Sequence, residues 1–215
     1  MGSTWTWSRV WRPWRPCARP DRILRHMLDQ LWSPLTARRN VSLRRLVAPG
    51  PDEAGLKLIV EAAAHAPDHG RLRPWRFILV PAARRPDLAD VFVDALVQRD
   101  PDCDDVARAA AYDKAFHAPC LLVAILIDDP KASAVPTAEK LVSLGCAIQN
   151  MLIVAQGLQV DSGMASGGAM GVPGMRQFLR LEPHEQAVCF IGFGTATSTK
   201  PPRLRPQPED FMSTL

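Results

Sequence analysis

Apolar residues recur at three- and four-residue spacing over much of the chain, which is the period of an amphipathic helix. The pattern predicts a helix over Arg22–Ala37, despite Pro34 near its end, and another over Leu56–Ala66 after the acidic turn Asp52-Glu53. Further helices are predicted at Asp87–Gln98, Val106–Phe116 and Thr137–Gly157, with a short one from Pro173 to near Leu181. Since Thr137–Gly157 is apolar on most sides, we expect it at the centre of the fold.

Three shorter apolar runs predict β-strands at Trp75–Val80, Cys120–Ile127 and Ala187–Phe193. The second run is continuously apolar, as expected of a strand that is buried on both faces. By contrast, Ser162–Gly174 contains five glycines, and we expect a loop there. A few strands among about six helices predict an α+β layered domain.

The charge of the chain is unevenly distributed. Residues 1–45 carry ten arginines against two acids, a net +8, whereas the rest carries 16 cations against 20 acids, a net −4. The formal charge of +4 therefore describes a basic N-terminal segment on a mildly acidic body. This distribution argues against a nucleic-acid-binding surface across the whole domain.

Residues 1–26 form a basic arm rich in Trp, Arg and Pro, which precedes a domain over residues 27–215. We expect the arm to be flexible, because prolines interrupt any helix and few aliphatic residues are available for a core. Binding of nucleic acid or of an acidic membrane surface by this arm is one alternative. Another is that translation starts at Met27, which opens the first predicted helix.

The five cysteines are odd in number and show no Cys-x-x-Cys spacing. Three of them lie in apolar runs, where a free thiol usually acts as a small core residue: Cys120, Cys146 and Cys189. We read no membrane-spanning run and no signal peptide in the sequence. We therefore expect a cytoplasmic protein without a membrane partner.

Two segments concentrate groups that can bind anions. Arg38-Arg39-Asn40-Val41-Ser42 follows the first predicted helix, and its guanidinium groups could fork onto a phosphate. The same arginines would also favour the negative end of the helix dipole, and the residues alone leave both interpretations open. The glycine-rich Asp161–Gly168 could bring backbone N–H groups to an anion or a flat ring, although such a segment is more often only a turn.

The polar loop before the first predicted strand contains His65 and His69. Their spacing would suit two metal ligands on one helix face, but Pro67 interrupts the helix and no third ligand follows, so we expect no metal. The chain also lacks Gly-x-Ser-x-Gly, His-Glu-x-x-His and kinase motifs. Anion-binding segments without an evident acid, base or nucleophile indicate that a cofactor supplies the reactivity.

Five stretches share their order and spacing with one known family. They are Arg38–Ser42, His65–His69 with Arg73–Phe77, His117–Pro119, Gly145–Gly157 and Gly192–Thr195. Together they resemble the nitroreductase family of FMN-dependent oxidoreductases, and within it the small single-domain branch. The resemblance extends from about Leu28 to the C-terminus.

The resemblance implies a central mixed, mostly antiparallel sheet flanked by helices, in a homodimer that binds FMN at the subunit interface. The implied cofactor-binding residues are Arg38, Arg39 and Asn40 at the phosphate and ribityl chain, His65 and His69 from the partner subunit, and Met164, Ala165 and Ser166 along the flavin. NAD(P)H would reduce the flavin, which would then reduce a nitroaromatic, quinone or similar acceptor in a ping-pong cycle. No catalytic acid or base of the protein is implied.

The chain departs from the family's pattern at four positions. Asn40 replaces a serine, His65 replaces an arginine, Arg73 replaces a glutamine and Ala165 replaces an arginine. Loss of two arginines near the cofactor would remove charge-assisted hydrogen bonds of ~1.5 to 3 kcal/mol each, whereas Arg73 would add a cation near the reduced flavin. The alternative function is therefore a non-catalytic or weakly flavin-binding member of the fold, acting as a ligand-binding or structural dimer.

Overall fold

The computed structural model describes residues 22–131, 133–198 and 204–214. The chain divides into two compact units, Met1–Ala37 and Arg38–Leu215. In the first unit the helix α1 spans Arg22–Ala37, as the apolar spacing predicts. One series of its apolar side chains is 41 to 67% exposed: Met27, Leu28, Leu31, Trp32 and Leu35. Most of the predicted basic arm, including Cys17, lies outside the described residues.

The second unit is built on a sheet of five strands. They are β1 (Leu46–Val47), β2 (Trp75–Leu79), β3 (Cys120–Ile127), β4 (Asp161–Ala165) and β5 (Glu185–Ala196). The order is β1-β5-β3-β2, and β4 also pairs with β5. Every described pairing is antiparallel, which sharpens the prediction of a mostly antiparallel sheet.

Two strands differ from the sequence predictions. The expected loop over Ser162–Gly174 is wrong at its start, since β4 pairs with β5 from Asp161 opposite Gly194 to Ala165 opposite Phe190. The two-residue strand β1 was not predicted at all. Neither segment has an alternating apolar pattern long enough to predict a strand, and both become strands through backbone pairing with β5.

In the described part of this unit, five α-helices accompany the sheet. They are α2 (Glu53–Ala62), α3 (Arg85–Arg99), α4 (Asp105–Asp113), α5 (Thr137–Gly157) and α6 (Pro173–Phe178). Asp52 caps α2 by accepting a 2.7 Å hydrogen bond from the Gly55 N–H. The last turns of the two helices predicted to end at Ala66 and Phe116 are wound more tightly than an α-helix, because 3₁₀ turns follow α2 and α4.

The core lies on both faces of the sheet. Alternate residues of β3 divide between the two faces: Leu121, Val123 and Ile125 face one cluster, while Leu122, Ala124 and Leu126 face the other. The first cluster includes residues of α3 and α6, and the second includes residues of α2 and α5. The prediction that Cys120–Ile127 is buried on both faces is therefore confirmed.

By length and composition, α5 could cross a membrane. Its buried residues, however, include Leu144, Ala147, Met151 and Leu152, which pack in the core beneath the sheet. It is therefore the central helix of the fold.

The four described cysteines are free thiols: Cys103, Cys120, Cys146 and Cys189. Cys103 and Cys189 are buried, and the other two are half-buried. Burial raises the pKa of Cys189 to about 11, so its thiol stays protonated at neutral pH. This burial confirms the prediction that Cys189 is a small core residue.

Candidate cofactor site

The segment Arg38–Ser42 lies directly against β4. The Val41 N–H donates to the Ser162 carbonyl over 2.9 Å, and the Met164 N–H donates to Oδ1 of Asn40 over 2.8 Å. A Cβ atom on Gly163 would lie 1.7 Å from the Val41 carbonyl oxygen, so only glycine permits this approach. The structure thus brings together two of the predicted groups, residues 38–40 and residues 164–166.

At this contact between residues 38–42 and β4, the charges of Arg39 and Arg205 act on Arg38, and no carboxylate of the described residues pairs with these arginines. The pKa of Arg38 is lowered by burial first and then by the positive charges of Arg205 and Arg39. Nε of Arg38 is buried without a hydrogen-bond partner. No ion pair between described residues involves any of the three. Like charges held together with an unsatisfied buried donor are typical of an anion-binding site.

Arg205 was missed by the sequence analysis. It lies in the proline-rich tail, far along the chain from Arg38, and no spacing within the tail indicates a ligand. Its charge lowers the pKa of Arg38, so the fold brings the tail near enough to Arg38 to add a third cation to the cluster.

His65 and His69 lie elsewhere in the described protomer. His65 is exposed in the 3₁₀ turn after α2, and Nδ1 of His69 lies 2.6 Å from Oε2 of Glu139 in the first turn of α5. Their loop leads into β2, which forms one edge of the sheet, whereas β4 pairs on the opposite side of β5. One protomer therefore separates these histidines from the arginine cluster, and their role at a partner's flavin stays a prediction. Among the described residues no three His, Cys, Asp or Glu side chains form a group that could hold a metal ion.

The loop that follows His69 is held in an unusual conformation. Arg71 and Arg73 have left-handed backbone angles, with φ of 55° and 45°. The Asp68 carboxylate stabilises the turn by accepting hydrogen bonds from the Arg73 N–H at 2.6 Å and the Leu72 N–H at 3.2 Å. Left-handed non-glycine residues cost free energy and are enriched at functional sites.

A cavity of about 630 Å³ adjoins the end of β4. Ala165 and Ser166 line it on one side, and α3 lines it on another. Its other lining residues combine apolar side chains with cations: Ser42, Leu43, Arg44, Phe92, Ala95, Leu96, Gln98, Arg99, Lys114, His117, Leu121, Gly167, Gly168, Ala169, Met170, Val172 and Phe190. The sequence analysis did not predict this cavity, because its walls come from six separate parts of the chain.

Arg85 holds one wall of the cavity in place. This arginine is only 5% exposed, and it donates to the carbonyl oxygens of Ala115 at 2.6 Å, Val80 at 3.1 Å and His117 at 3.3 Å. The bonded segment includes Ala118, whose φ is 62°. Burial lowers the pKa of His117 most strongly, Arg44 and Lys114 lower it further, and Asp113 opposes them.

Residues 35–195 of the chain match the model of a protein family described as "Nitroreductase family". A relative from Haemophilus influenzae, named "Putative NAD(P)H nitroreductase", is 29% identical over 161 residues, or 75% of this chain and 85% of that protein. "Putative NAD(P)H nitroreductase YdjA" of Escherichia coli K12 is 28% identical with the same coverage.

Solved structures share the fold. The "Nitroreductase-like Family Protein from Bacillus cereus" has a TM-score of 0.72 at 18% identity, over 86% of this chain and 95% of that chain. The "FMN-dependent nitroreductase NfnB from Mycobacterium smegmatis in complex with NADPH" has a TM-score of 0.67 at 16% identity, over 88% of this chain and 99% of that chain.

Proposed function

Because the chain belongs to the nitroreductase family, we propose that it is an FMN-dependent oxidoreductase that transfers electrons from NAD(P)H to a nitroaromatic, quinone or similar flat acceptor. The observation that carries this proposal is the cluster of Arg38, Arg39 and Arg205, whose charges lack a carboxylate partner among the described residues. The names of the Mycobacterium smegmatis and Haemophilus influenzae proteins support FMN as the cofactor and NAD(P)H as the reductant.

The arginine cluster fits the phosphate end of FMN. A phosphate offers several anionic oxygens, and the unsatisfied Nε of Arg38 is a buried donor that such an oxygen would satisfy. Asn40 orients β4 through its bond to the Met164 N–H, so the same segment would hold the phosphate and position the strand. Residues 164–166 would then line the flavin, next to the cavity.

The bound flavin would accept hydride and pass electrons on, and the protein groups around it need only bind and orient it. Arg38, Arg39 and Arg205 would hold the phosphate. Ala165 and Ser166 would line the flavin, and the apolar walls of the cavity would limit the access of water. The reductant and the acceptor would use the same cavity in turn, which gives parallel lines in double-reciprocal plots.

We further propose a homodimer in which His65 and His69 reach the flavin of the partner subunit. Two observations support it: the described protomer separates these histidines from the arginines, and α1 exposes a series of large apolar side chains. A measured mass of one subunit at micromolar concentration would contradict the dimer.

We also propose that the protein works in the cytoplasm. The four described cysteines are free, as in a reducing compartment. Fractionation of native cells would test this assignment.

Purification tests the main proposal. We expect a yellow protein that releases FMN on denaturation and loses its flavin absorbance anaerobically on addition of NADPH or NADH. Arg38→Gln and Arg205→Gln should weaken FMN retention, whereas Lys57→Gln, which removes an exposed charge on α2, should not. A colourless protein that added FMN neither binds nor stabilises would favour the non-catalytic alternative.

A further inference from the structure

The walls of the cavity suit an aromatic ring. The side chains of Phe92, Leu96, Met170, Val172 and Phe190 contribute its apolar surface. The rings of Phe92 and Phe190 meet edge to face, with centroids 5.6 Å apart. A flat apolar molecule placed here would be adjacent to Ala165 and Ser166, where the proposed flavin lies.

The charges around the cavity have one sign. Arg44, Arg99 and Lys114 line it, and they come from the turn before β1, the end of α3 and the turn after α4. Among the described residues no Asp or Glu lines it, although the rest of the chain after residue 45 is net acidic. Asp113 acts on His117 but does not line the cavity.

These three cations are available to a ligand. Within the described part of the chain none of them forms an ion pair or a side-chain hydrogen bond with another residue. Arg44 and Lys114 both act on His117, so two of the charges converge on one side of the cavity. All three are exposed residues, so water solvates their charges in the free protein, and an anionic group on a ligand would replace that water with direct charge-assisted hydrogen bonds.

We propose, on the basis of the proposed function, that this cavity selects flat aromatic acceptors that carry an anionic group, such as a carboxylate or a sulfonate. The ring would pack between the apolar walls beside the flavin, and Arg44, Arg99 and Lys114 would bind the anion. These three are specificity-determining residues. The 2′-phosphate of NADPH has the same chemistry, so the test separates the two sources.

The reaction balances for a nitroaromatic acid. One N–O bond of the nitro group breaks, its oxygen leaves as water, and the group gains two electrons to become a nitroso group. NAD(P)H supplies the electron pair as hydride and becomes NAD(P)⁺, and solvent supplies the remaining proton.

The first test compares 4-nitrobenzoate with 4-nitrobenzamide, which have nearly the same shape. The amide is the more electron-poor ring, so intrinsic reactivity opposes the expected preference. We expect KM for the benzoate to be about tenfold lower than for the amide with kcat little changed, and 0.5 M NaCl should reduce the difference. Equal KM values in the flavin-loaded protein would overturn the inference and leave the proposed function intact.

Substitution of each cation tests whether it causes the preference for the benzoate over the amide. Arg44→Gln, Arg99→Gln and Lys114→Gln should each raise KM for 4-nitrobenzoate about threefold to fivefold without a change for the amide. Lys57→Gln, the matched control, should leave both values unchanged. If the variants instead raise KM for NADPH relative to NADH and spare the benzoate, the cations serve the reductant and the proposal is wrong.

Calorimetry separates the two proposals. Titration of 4-nitrobenzoate and of 4-nitrobenzamide into flavin-free protein measures the cavity directly. Preferential binding of the benzoate, lost in Lys114→Gln, would support the anion site even if the protein does not bind FMN. Absence of that preference in both the flavin-free titration and the kinetics would overturn it.

Discussion

Buried cations of the scaffold have hydrogen-bond acceptors, whereas cations at the candidate site have none among the described residues. Arg85 is buried and donates to four carbonyl oxygens, and Lys140, only 3% exposed, lies 2.6 Å from Oδ1 of Asp128. Arg38 and the cavity cations Arg99 and Lys114 have no such acceptor among the described residues. The difference teaches that a buried cation with satisfied donors has a structural role, whereas cations gathered without an acceptor are available to a ligand.

The scaffold pair Arg76–Glu185 shows the same principle at the first residue of β5. Nε and Nη2 of Arg76 donate to the two carboxylate oxygens at 2.6 and 2.7 Å. The Arg76 hydrogen bonds hold the pKa of Glu185 below its ordinary value against the opposing effect of burial. This pair links β2 to β5 across the edge of β3.

The largest expected effect comes from removing a buried cation of the scaffold. Arg85→Ala should lower the free energy of unfolding by about 4 kcal/mol, because it leaves buried carbonyl oxygens without a donor. Urea denaturation measures this loss. Arg84→Ala is the matched control, since half-exposed Arg84 pairs with exposed Asp87 and lies over the Phe178 ring at 5.2 Å, and it should cost no more than ~1.5 kcal/mol. Equal losses in the two variants would refute the role given to Arg85.

The contact of Gly163 in β4 with Val41, which joins the scaffold to the candidate site, should be nearly as sensitive to substitution. Gly163→Ala would force a Cβ atom against the Val41 carbonyl, so we expect a loss of about 3 kcal/mol together with loss of FMN binding. Thermal unfolding and flavin fluorescence report the two effects. Gly145→Ala, where a Cβ meets nothing within 4 Å, should be neutral or stabilising by up to ~1 kcal/mol. A stable, flavin-binding Gly163→Ala protein would contradict the described contact.

The scaffold ion pair gives a smaller effect with a defined pH dependence. Glu185→Gln should cost about 2 kcal/mol at pH 7, less than for a fully buried pair because the Arg76 side chain is 38% exposed. The pKa of Glu185 is lowered from 4.5, so its stabilisation is complete above pH 4.5 and is lost as the pH falls through the folded-state pKa. Urea titrations should therefore show wild type and variant converging in acid. A difference that stays constant down to pH 3 would exclude this pair as its source.

On the site side, Arg38→Gln should affect binding and spare stability. We expect FMN affinity to fall at least tenfold, about 1.5 kcal/mol, with the free energy of unfolding of the flavin-free protein changed by less than ~0.5 kcal/mol. Burial first, and then the neighbouring positive charges, lower the pKa of Arg38, so its removal relieves both desolvation and repulsion. Fluorescence titration with FMN measures the affinity. Destabilisation comparable to that of Arg85→Ala would place Arg38 with the scaffold instead.

The smallest expected effect concerns His117. Its pKa is lowered from 6.5, so it is neutral at pH 7 and gains a positive charge only as the pH falls below that value. KM for 4-nitrobenzoate, which remains ionised, should therefore decrease about twofold in mild acid, while KM for 4-nitrobenzamide stays flat. His117→Gln should remove the change. A pH effect that persists in this variant would assign it to another group.

Local pattern was sufficient for the long elements. The bounds of α1, β3 and α5 agree with the prediction, because the apolar period in each extends over the whole element. β4 was predicted as loop, since its strand depends on pairing with β5 and on the approach of Val41 to Gly163. Arg85 precedes the predicted start of α3, and nothing in its neighbourhood indicates that it is buried.

The candidate site divides in the same way. The donors at Arg38, Arg39 and Asn40 and their family resemblance are visible in the sequence, and the structure brings them beside residues 164–166. The roles of His65 and His69 remain predictions that need a second subunit. Arg205 and the cavity could not be predicted, because no local period links a tail residue to Arg38 or α3 to the turn at Lys114.

By itself, the sequence determined the family, the helices and strands with a regular apolar period, and the residues able to hold an anion. Those properties depend on residue types and on short-range spacing, and both can be read from the sequence without a structure. The tertiary structure alone decided which cations find an acceptor and which are left for a ligand. That outcome depends on contacts between distant segments, because burial and neutralisation are properties of the folded surroundings and not of the residue.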